Sequence, residues 1–188
     1  MRSDTGRREA DSPFRLVVLV GFMGSGKTSV GREVARRLGW EFVDSDDEVE
    51  ARAGSSVEAL FRERGEAAFR DLEARAMTEI LRGSHRVVAT GGGWPAAGPG
   101  RLETLPVDVL SVWLRVPAAT AVLRVARGGS PRPLLAVDDP VGRARRLLER
   151  RTPAYRPARL HLDTVEASVV ALADAIVERL TAVEDVRG

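Results

Sequence analysis

The chain has 188 residues, of which 44% are hydrophobic and 30% are charged, and its 29 basic and 27 acidic side chains leave a net charge of +2. This length and balance predict one globular domain and give no general case for nucleic-acid binding. There is no cysteine, which excludes disulfides, thiolate metal sites, iron–sulfur clusters and a cysteine nucleophile.

Both ends of the chain are polar, and we expect residues 1–13 to form a disordered tail and residues 182–188 to fray. The first segment lacks the apolar stretch of a signal peptide, and no apolar run approaches the roughly 20 residues that span a bilayer. We therefore expect a cytoplasmic monomer that binds neither nucleic acid nor a membrane.

A short apolar run, Leu16–Val20, suits a strand buried on both faces. The next residues, 21–28, read GFMGSGKT and match G-x-x-x-x-G-K-[ST], and a helical pattern follows over 29–38. Glycines let backbone N–H groups surround phosphates, and the helix N-terminus adds positive charge. Lys27, the single lysine of the chain, can reach the β- and γ-phosphates. The alternative is a glycine-rich turn with a solvated lysine.

The rest of the chain alternates between strand and helix patterns, which predicts an α/β fold with parallel strands and right-handed crossovers. Further strands are expected at 40–44, 86–90, 107–114 and 159–163. Helices are expected at 56–64, 66–82, 117–127, 140–151 and 166–180. Ligands of such sheets bind at the carboxyl ends of the strands, so the residues that follow each strand are the candidates for the site.

Two strands end in residues suited to ligand binding. The second runs into Asp44-Ser45-Asp46-Asp47, where Asp44 can support Mg²⁺ together with the Thr28 hydroxyl and Asp46 can face an acceptor hydroxyl. The alternative for Asp46 is a helix cap, and we expect Asp47 to be only a cap. The third strand ends in Gly91-Gly92-Gly93, whose exposed amides admit a ligand or simply form a tight turn.

These segments, followed along the chain by FR at 69–70, TGGG at 90–93, RPLL at 132–135 and RRTPAYR at 150–156, resemble the shikimate kinase family in order and spacing. The resemblance covers about 14–163. It implies a three-layer P-loop fold with a five-stranded parallel sheet, a small substrate-binding helical region at about 45–75 and a mobile lid at about 126–139, all within one domain over 14–181. It also implies ATP-dependent phosphorylation of the shikimate 3-hydroxyl, with ATP and Mg²⁺ as cofactors.

The resemblance also implies roles for individual residues. Lys27, Asp46 and Arg132 match the catalytic residues, with Asp46 as the base proposed in the family. Thr28 and Asp44 match the metal-supporting pair. The ATP-binding residues would be Gly21, Met23, Gly24, Ser25, Gly26, Lys27, Thr28, Ser29 and Arg132. The shikimate-binding residues would be Asp46, Phe61, Phe69, Arg70, Gly91, Gly92, Gly93 and Arg151, with Arg70 and Arg151 on the carboxylate.

Several points stay open at this stage. Trp94 stands where a smaller residue is expected, so it either narrows the pocket or packs over the glycines from outside. Arg124 or Arg127 can stack on the adenine.

A related kinase for gluconate or a nucleoside monophosphate is the main alternative function, and a non-catalytic ATP-binding module is the remaining one. Paired arginines favour a hydroxylated carboxylate, a description that gluconate also fits.

Overall fold

The computed structural model describes residues 12–128, 135 and 137–182. Within them, strands and helices alternate along the chain. The strands are β1 (Leu16–Val20), β2 (Glu41–Asp44), β3 (Arg86–Ala89), β4 (Val109–Arg115) and β5 (Leu160–Asp163). The helices are α1 (Lys27–Leu38), α2 (Ser45–Ala53), α3 (Val57–Ile80), α4 (Ala118–Arg127), α5 (Pro140–Tyr155) and α6 (Val169–Thr181). A short 3₁₀ helix, Trp94–Ala96, follows β3.

The five strands form one parallel sheet in the order β2-β3-β1-β4-β5. The fully buried β1 lies at its centre, as its unbroken apolar sequence predicts. The carboxyl ends of β1, β2 and β3 are adjacent on one edge, so the glycine loop after β1, the acidic segment after β2 and the triple glycine after β3 lie together. The predicted five-stranded parallel α/β fold is confirmed.

Helices cover both faces of the sheet, because successive β1 side chains point to opposite sides. Val17 and Leu19 pack with residues of α1 and α6, including Val34 and Ile176. On the other face, Leu16, Val18 and Val20 pack with residues of α3 and α5, including Met77 and Tyr155. This is the predicted three-layer arrangement.

A small helical region stands beside the sheet. In it, α2 packs against the first part of α3 around Val49, Leu60 and Phe69. Gly65 interrupts α3 with φ 79° and ψ 172°, which is not a helical conformation. The predicted separation of two helices at this glycine is therefore confirmed as a kink.

The predicted boundaries differ from the observed ones by a few residues. The largest difference is in α5, which continues through Pro153 to Tyr155 instead of ending at residue 151. The predicted lid, at about 126–139, falls between α4 and α5, and its residues 129–134 and 136 lie outside the described part. Residues 1–11 and 183–188, most of the two predicted tails, also lie outside it. Among the described helices, none is long and apolar enough to cross a membrane.

Candidate active site

The glycine loop turns tightly between β1 and α1. Gly26, the residue before α1, has φ 91°, and Gly24 has φ 73°. A β-carbon on Gly24 would lie 2.6 Å from the carbonyl oxygen of Ala121 in α4, so the loop needs glycine there both for its torsion angle and for space. The Lys27 ammonium donates to the carbonyls of Gly21 at 2.9 Å and Phe22 at 3.1 Å, and so spans the loop in which phosphates would bind.

One polar atom inside this loop suggests a ligand. The Ser25 side chain is 1% exposed, and its hydroxyl has no hydrogen-bond partner among the described residues. Burying a hydroxyl without a partner costs free energy. The first N–H groups of α1 also lack partners within the helix, as at every helix start. A phosphate group would satisfy both sets of donors, so the loop fits the nucleotide that its sequence predicts.

Asp44 links this loop to the neighbouring strand. Its Oδ2 accepts a hydrogen bond from the Thr28 hydroxyl at 3.2 Å, and its Oδ1 accepts one from the backbone N–H of Asp46 at 3.1 Å, which caps α2. The expectation that Asp47 is the helix cap is therefore wrong, because α2 begins at Ser45 and Asp44 is its cap. Asp46 lies in the first turn of α2, one residue after the helix begins.

The triple glycine is held from two sides by side chains distant in sequence. The buried Ser45 hydroxyl accepts the backbone N–H of Gly91 at 2.9 Å, and the Tyr155 hydroxyl donates to the Gly92 carbonyl. Neither Ser45 nor Tyr155 was predicted as a site residue. Both contacts join residues that are more than 40 positions apart, so no local pattern reveals them.

Two carboxylates converge on the first of these glycines. A β-carbon on Gly91 would lie 2.7 Å from Oδ1 of Asp46 and 2.8 Å from Oε1 of Glu73. Glu73 is fully buried in α3, and this same Oε1 has no hydrogen-bond partner among the described residues. Burial raises the pKa of the Glu73 carboxyl, against the opposing effect of Arg70. The sequence indicates an ion pair between Arg70 and Glu73, which are three residues apart on a helix, but it does not place Glu73 at the site.

Arg70 forms hydrogen bonds with two acidic residues of its own helix, α3. Its Nη1 donates to Oε2 of Glu73 at 2.8 Å, and its Nη2 donates to Oε1 of Glu66 at 3.2 Å. A β-carbon on Gly93 would lie 2.7 Å from Nη2 of Arg70, so the guanidinium lies directly against the triple glycine. The structure thus brings Arg70 to the triple glycine, as the expected acceptor site requires.

A cavity of about 320 Å³ lies beside Arg70, between α3, the triple glycine and α5. Arg70 and Arg151 both line it, so the two predicted carboxylate-binding arginines face one space. Arg151 also lies over the ring of Phe22, with its guanidinium carbon 5.8 Å from the ring centroid. Arg143, Arg150 and Glu66 complete the charged lining, and the first two were not predicted as site residues.

The two predicted aromatic contacts have different surroundings. Phe69 is 3% exposed and belongs to the core of the small helical region, and Phe61 is 38% exposed above it, with their ring centroids 4.6 Å apart. The Arg70 guanidinium lies 5.1 Å from the Phe69 ring centroid. Phe69 therefore supports Phe61 and Arg70 from below.

Trp94 packs on the outside of the triple glycine. Its side chain is 4% exposed and lies in the core with Val18, Val20 and Leu102, beneath the guanidinium of Arg101. It does not line the cavity that holds Arg70 and Arg151. Of the two expectations for this residue, the structure favours packing from outside over narrowing of the pocket.

Arg124 connects α4 to the nucleotide loop. It donates to the Gly24 carbonyl at 3.3 Å and to the Thr164 hydroxyl at 2.9 Å, beyond the end of β5. Arg127, the other candidate for adenine stacking, is exposed at the end of α4. Arg132 lies outside the described residues. A larger cavity, of about 670 Å³, lies between α5 and the end of β5, away from the triple glycine.

Comparison with known proteins gives the family of this chain. The family model described as shikimate kinase matches residues 23–181. The chain belongs to the shikimate kinase family. A shikimate kinase from Thermus thermophilus is 38% identical over 185 residues, covering 97% of this chain and 98% of the relative. This assignment confirms the expected resemblance and the expected kinase class.

Solved structures agree with this assignment. Shikimate kinase from Acinetobacter baumannii in complex with shikimate superposes with a TM-score of 0.81 at 36% identity, over 88% of this chain and 92% of the other. A gluconokinase from Sinorhizobium meliloti, 21% identical with a TM-score of 0.55 over 90% of this chain and 94% of the other, shares the fold. At that identity the second likeness carries no functional argument.

Proposed function

We propose that this chain transfers the γ-phosphoryl group of ATP to the 3-hydroxyl of shikimate, giving shikimate 3-phosphate for chorismate and aromatic amino-acid biosynthesis. The observation that carries the proposal is the cavity beside the triple glycine, which Arg70 and Arg151 both line. Two guanidinium groups in one small cavity suit a carboxylate, and the phosphate-binding loop lies against the triple glycine at Gly92. Membership of the shikimate kinase family supports the choice of acceptor.

The glycine loop is assigned to ATP. Backbone N–H groups over Gly21–Ser29, including those of Met23, Gly24 and Gly26, would surround the phosphates, and the Ser25 hydroxyl would donate to them. Lys27 would release its two carbonyl contacts and pair with the β- and γ-phosphates. Arg132 retains its proposed role on the phosphates through the resemblance alone. We assign Arg124 to the neighbourhood of the adenine because it joins Gly24 to Thr164.

The Thr28 hydroxyl and the Asp44 carboxylate are assigned to Mg²⁺. Their oxygens approach within 3.2 Å, and hard oxygen ligands of this kind suit the ion. When bound, Mg²⁺ would neutralise phosphate charge that develops during transfer. Asp44 would hold its orientation throughout, because its second oxygen is fixed by the N–H of Asp46.

The acceptor side is assigned to α2, α3 and α5. Arg70 and Arg151 would bind the carboxylate of shikimate, and Gly91–Gly93 would let its ring approach the backbone. Phe61 would cover one face of the ring, supported by Phe69. Glu73 would hold Arg70 in place through the 2.8 Å contact that it already makes.

Asp46 is assigned to the attacking hydroxyl. Its carboxylate lies against Gly91, the first residue of the triple glycine whose last residue, Gly93, lines the acceptor cavity. A carboxylate that accepts a hydrogen bond from the hydroxyl orients the nucleophile and can take its proton as the new bond forms. Phosphoryl transfer otherwise depends on positioning and charge neutralisation, which this chain supplies through Lys27 and its arginines.

The proposal includes a cytoplasmic monomer. A coupled assay of ADP release with shikimate, gluconate, AMP or no acceptor tests the activity directly. We expect turnover with shikimate alone. Equal or faster turnover with gluconate or AMP would assign the cavity to another acceptor, and ADP binding without turnover of any acceptor would leave only a nucleotide-binding module. Light scattering after size-exclusion chromatography tests the monomer.

A further inference from the structure

The acceptor cavity holds more positive charge than one carboxylate requires. Besides Arg70 and Arg151, it is lined by Arg143 and Arg150, which extend along the same face of α5 with Leu147 between them. Positions 143, 147, 150 and 151 recur at helical spacing, so one stripe of the helix carries all of these side chains. Two of the four guanidiniums therefore have no role in the proposed fork.

The acids of the cavity do not neutralise this excess. Glu66, the acidic residue in the lining, is 3.2 Å from Arg70, and the buried Glu73 is 2.8 Å from the same guanidinium. Among the described residues, Arg143 and Arg150 form no hydrogen bond or ion pair through their side chains. Arg143 is half-buried and Arg150 is exposed, so both side chains are open to solvent at the cavity that they line.

We propose that Arg143 and Arg150 form an outer capture site that recruits the carboxylate of the acceptor from solution and delivers it to Arg70 and Arg151. The inference rests on the proposed function, because it takes the acceptor to be an anion. Charges of one sign lining a concave, low-dielectric surface concentrate ligands of the opposite sign and speed their association. The two arginines are positioning residues: they need no contact with the reacting hydroxyl or the phosphates.

A charge-based capture site differs from a fork in what it demands of the side chain. A fork needs the planar guanidinium and its paired donors, whereas capture needs only a positive charge in the correct place. Lysine at both positions should therefore sustain capture, although lysine at position 70 would lose the fork. Salt should abolish capture, because the screening length falls from about 30 Å at 0.01 M salt to about 3 Å at 1 M.

The test compares three double variants by steady-state kinetics across ionic strength. In R143A/R150A, we expect kcat/KM for shikimate to fall about tenfold at low salt and to approach the wild-type value at high salt. Its kcat and its KM for ATP should stay within about twofold of wild type. R143K/R150K should behave as wild type, which also shows that the positions tolerate substitution. R145A/R146A removes the same charge from exposed positions of α5 outside the cavity and should have little effect.

Each outcome bears on the inference. A loss of the same size at low and high salt would overturn it, and so would a loss no greater than that of R145A/R146A or a failure of R143K/R150K to restore the rate. If the wild-type chain itself releases no ADP with shikimate, the proposed function fails and the inference fails with it. If wild type turns over shikimate and the R143A/R150A variant matches it at every salt concentration, the inference fails alone.

Discussion

Glu73 accepts a hydrogen bond from Arg70 with one carboxylate oxygen, at 2.8 Å. Its other oxygen is buried against the triple glycine, at Gly91, and has no hydrogen-bond partner among the described residues. Together Glu73 and Arg70 form a half-buried ion pair in which the acid is fully enclosed and the base reaches into the acceptor cavity. Burying a carboxyl group that leaves one oxygen without a partner lowers the stability of the fold. Orientation of the guanidinium is the function that fits this geometry.

The first prediction concerns the pH dependence of stability at Glu73. Burial raises the pKa of this carboxyl above its ordinary value of 4.5. The folded state therefore binds its proton more tightly than the unfolded state, so its contribution to stability is full below pH 4.5 and is lost as pH rises through the folded pKa. Glu73→Gln has no such titration. We expect the Tm of wild type, measured against that of the variant, to fall as the pH rises above 4.5. A constant difference in Tm would contradict the prediction.

The second prediction concerns the contact between Gly93 and Arg70. In Gly93→Ala, the new β-carbon would lie 2.7 Å from Nη2 of Arg70, and the flexible side chain would have to move. We expect little change in Tm but a KM for shikimate raised about tenfold, equivalent to about 1.4 kcal/mol. The KM for ATP should not change.

A double-mutant cycle supplies the control for this second prediction. If Gly93→Ala acts by displacing the guanidinium, it should add nothing further in an Arg70→Ala background. Additive effects of the two substitutions on KM for shikimate would show that Gly93 acts on the ligand by another route.

The third prediction separates Asp44 from Asp46. Asn is as good a helix cap as Asp, so Asp44→Asn keeps the start of α2 and removes one charge beside Thr28. This variant should need more Mg²⁺ for half-maximal activity, and excess Mg²⁺ should restore part of the rate. Asp46→Asn should bind ATP normally and lose about two decades of kcat, the usual effect of removing a positioned base, at any Mg²⁺ concentration. Rescue of Asp46→Asn but not of Asp44→Asn would reverse the assignment.

The fourth prediction concerns Tyr155, the single tyrosine of the chain. Burial raises its pKa to about 12, so the native protein should develop phenolate absorbance near pH 12, whereas the urea-unfolded chain should do so near pH 10. Tyr155→Phe would leave the Gly92 carbonyl without its donor and should cost about 1–3 kcal/mol in urea unfolding. If the native and unfolded proteins titrate at the same pH, the Tyr155 hydroxyl is not buried and the prediction is wrong.

The sequence predicts those parts of the site that local patterns encode. Leu16–Val20 followed by GFMGSGKT specifies a buried strand, a phosphate loop and a helix within 23 residues, because each element depends on its neighbours in the chain. The assignment of Arg70 and Arg151 to one cavity came from family resemblance. In a chain with 28 arginines, no spacing alone distinguishes those two from Arg143 or Arg150.

Contacts between distant segments could not be predicted in this way. Ser45 binds Gly91 across 46 positions and Tyr155 binds Gly92 across 63, and both depend on the order in which β2, β3 and β1 join the sheet. The wrong expectation for Asp47 has a similar origin. The strand pattern over 40–44 did not show that the helix begins immediately at Ser45.

The kink at Gly65 imposes a constraint that depends on torsion rather than on volume. A β-carbon added there would meet no atom within 4 Å, yet φ 79° and ψ 172° is a conformation that side-chain-bearing residues scarcely adopt. A substitution at this half-buried position would thus clash with no neighbouring atom and still cost the strain of the backbone, roughly 1–3 kcal/mol. Relief of that strain would change the angle between the two parts of α3 and carry Phe61 away from Phe69. The torsion angles of one glycine therefore set where Phe61 stands relative to the ring that supports Arg70.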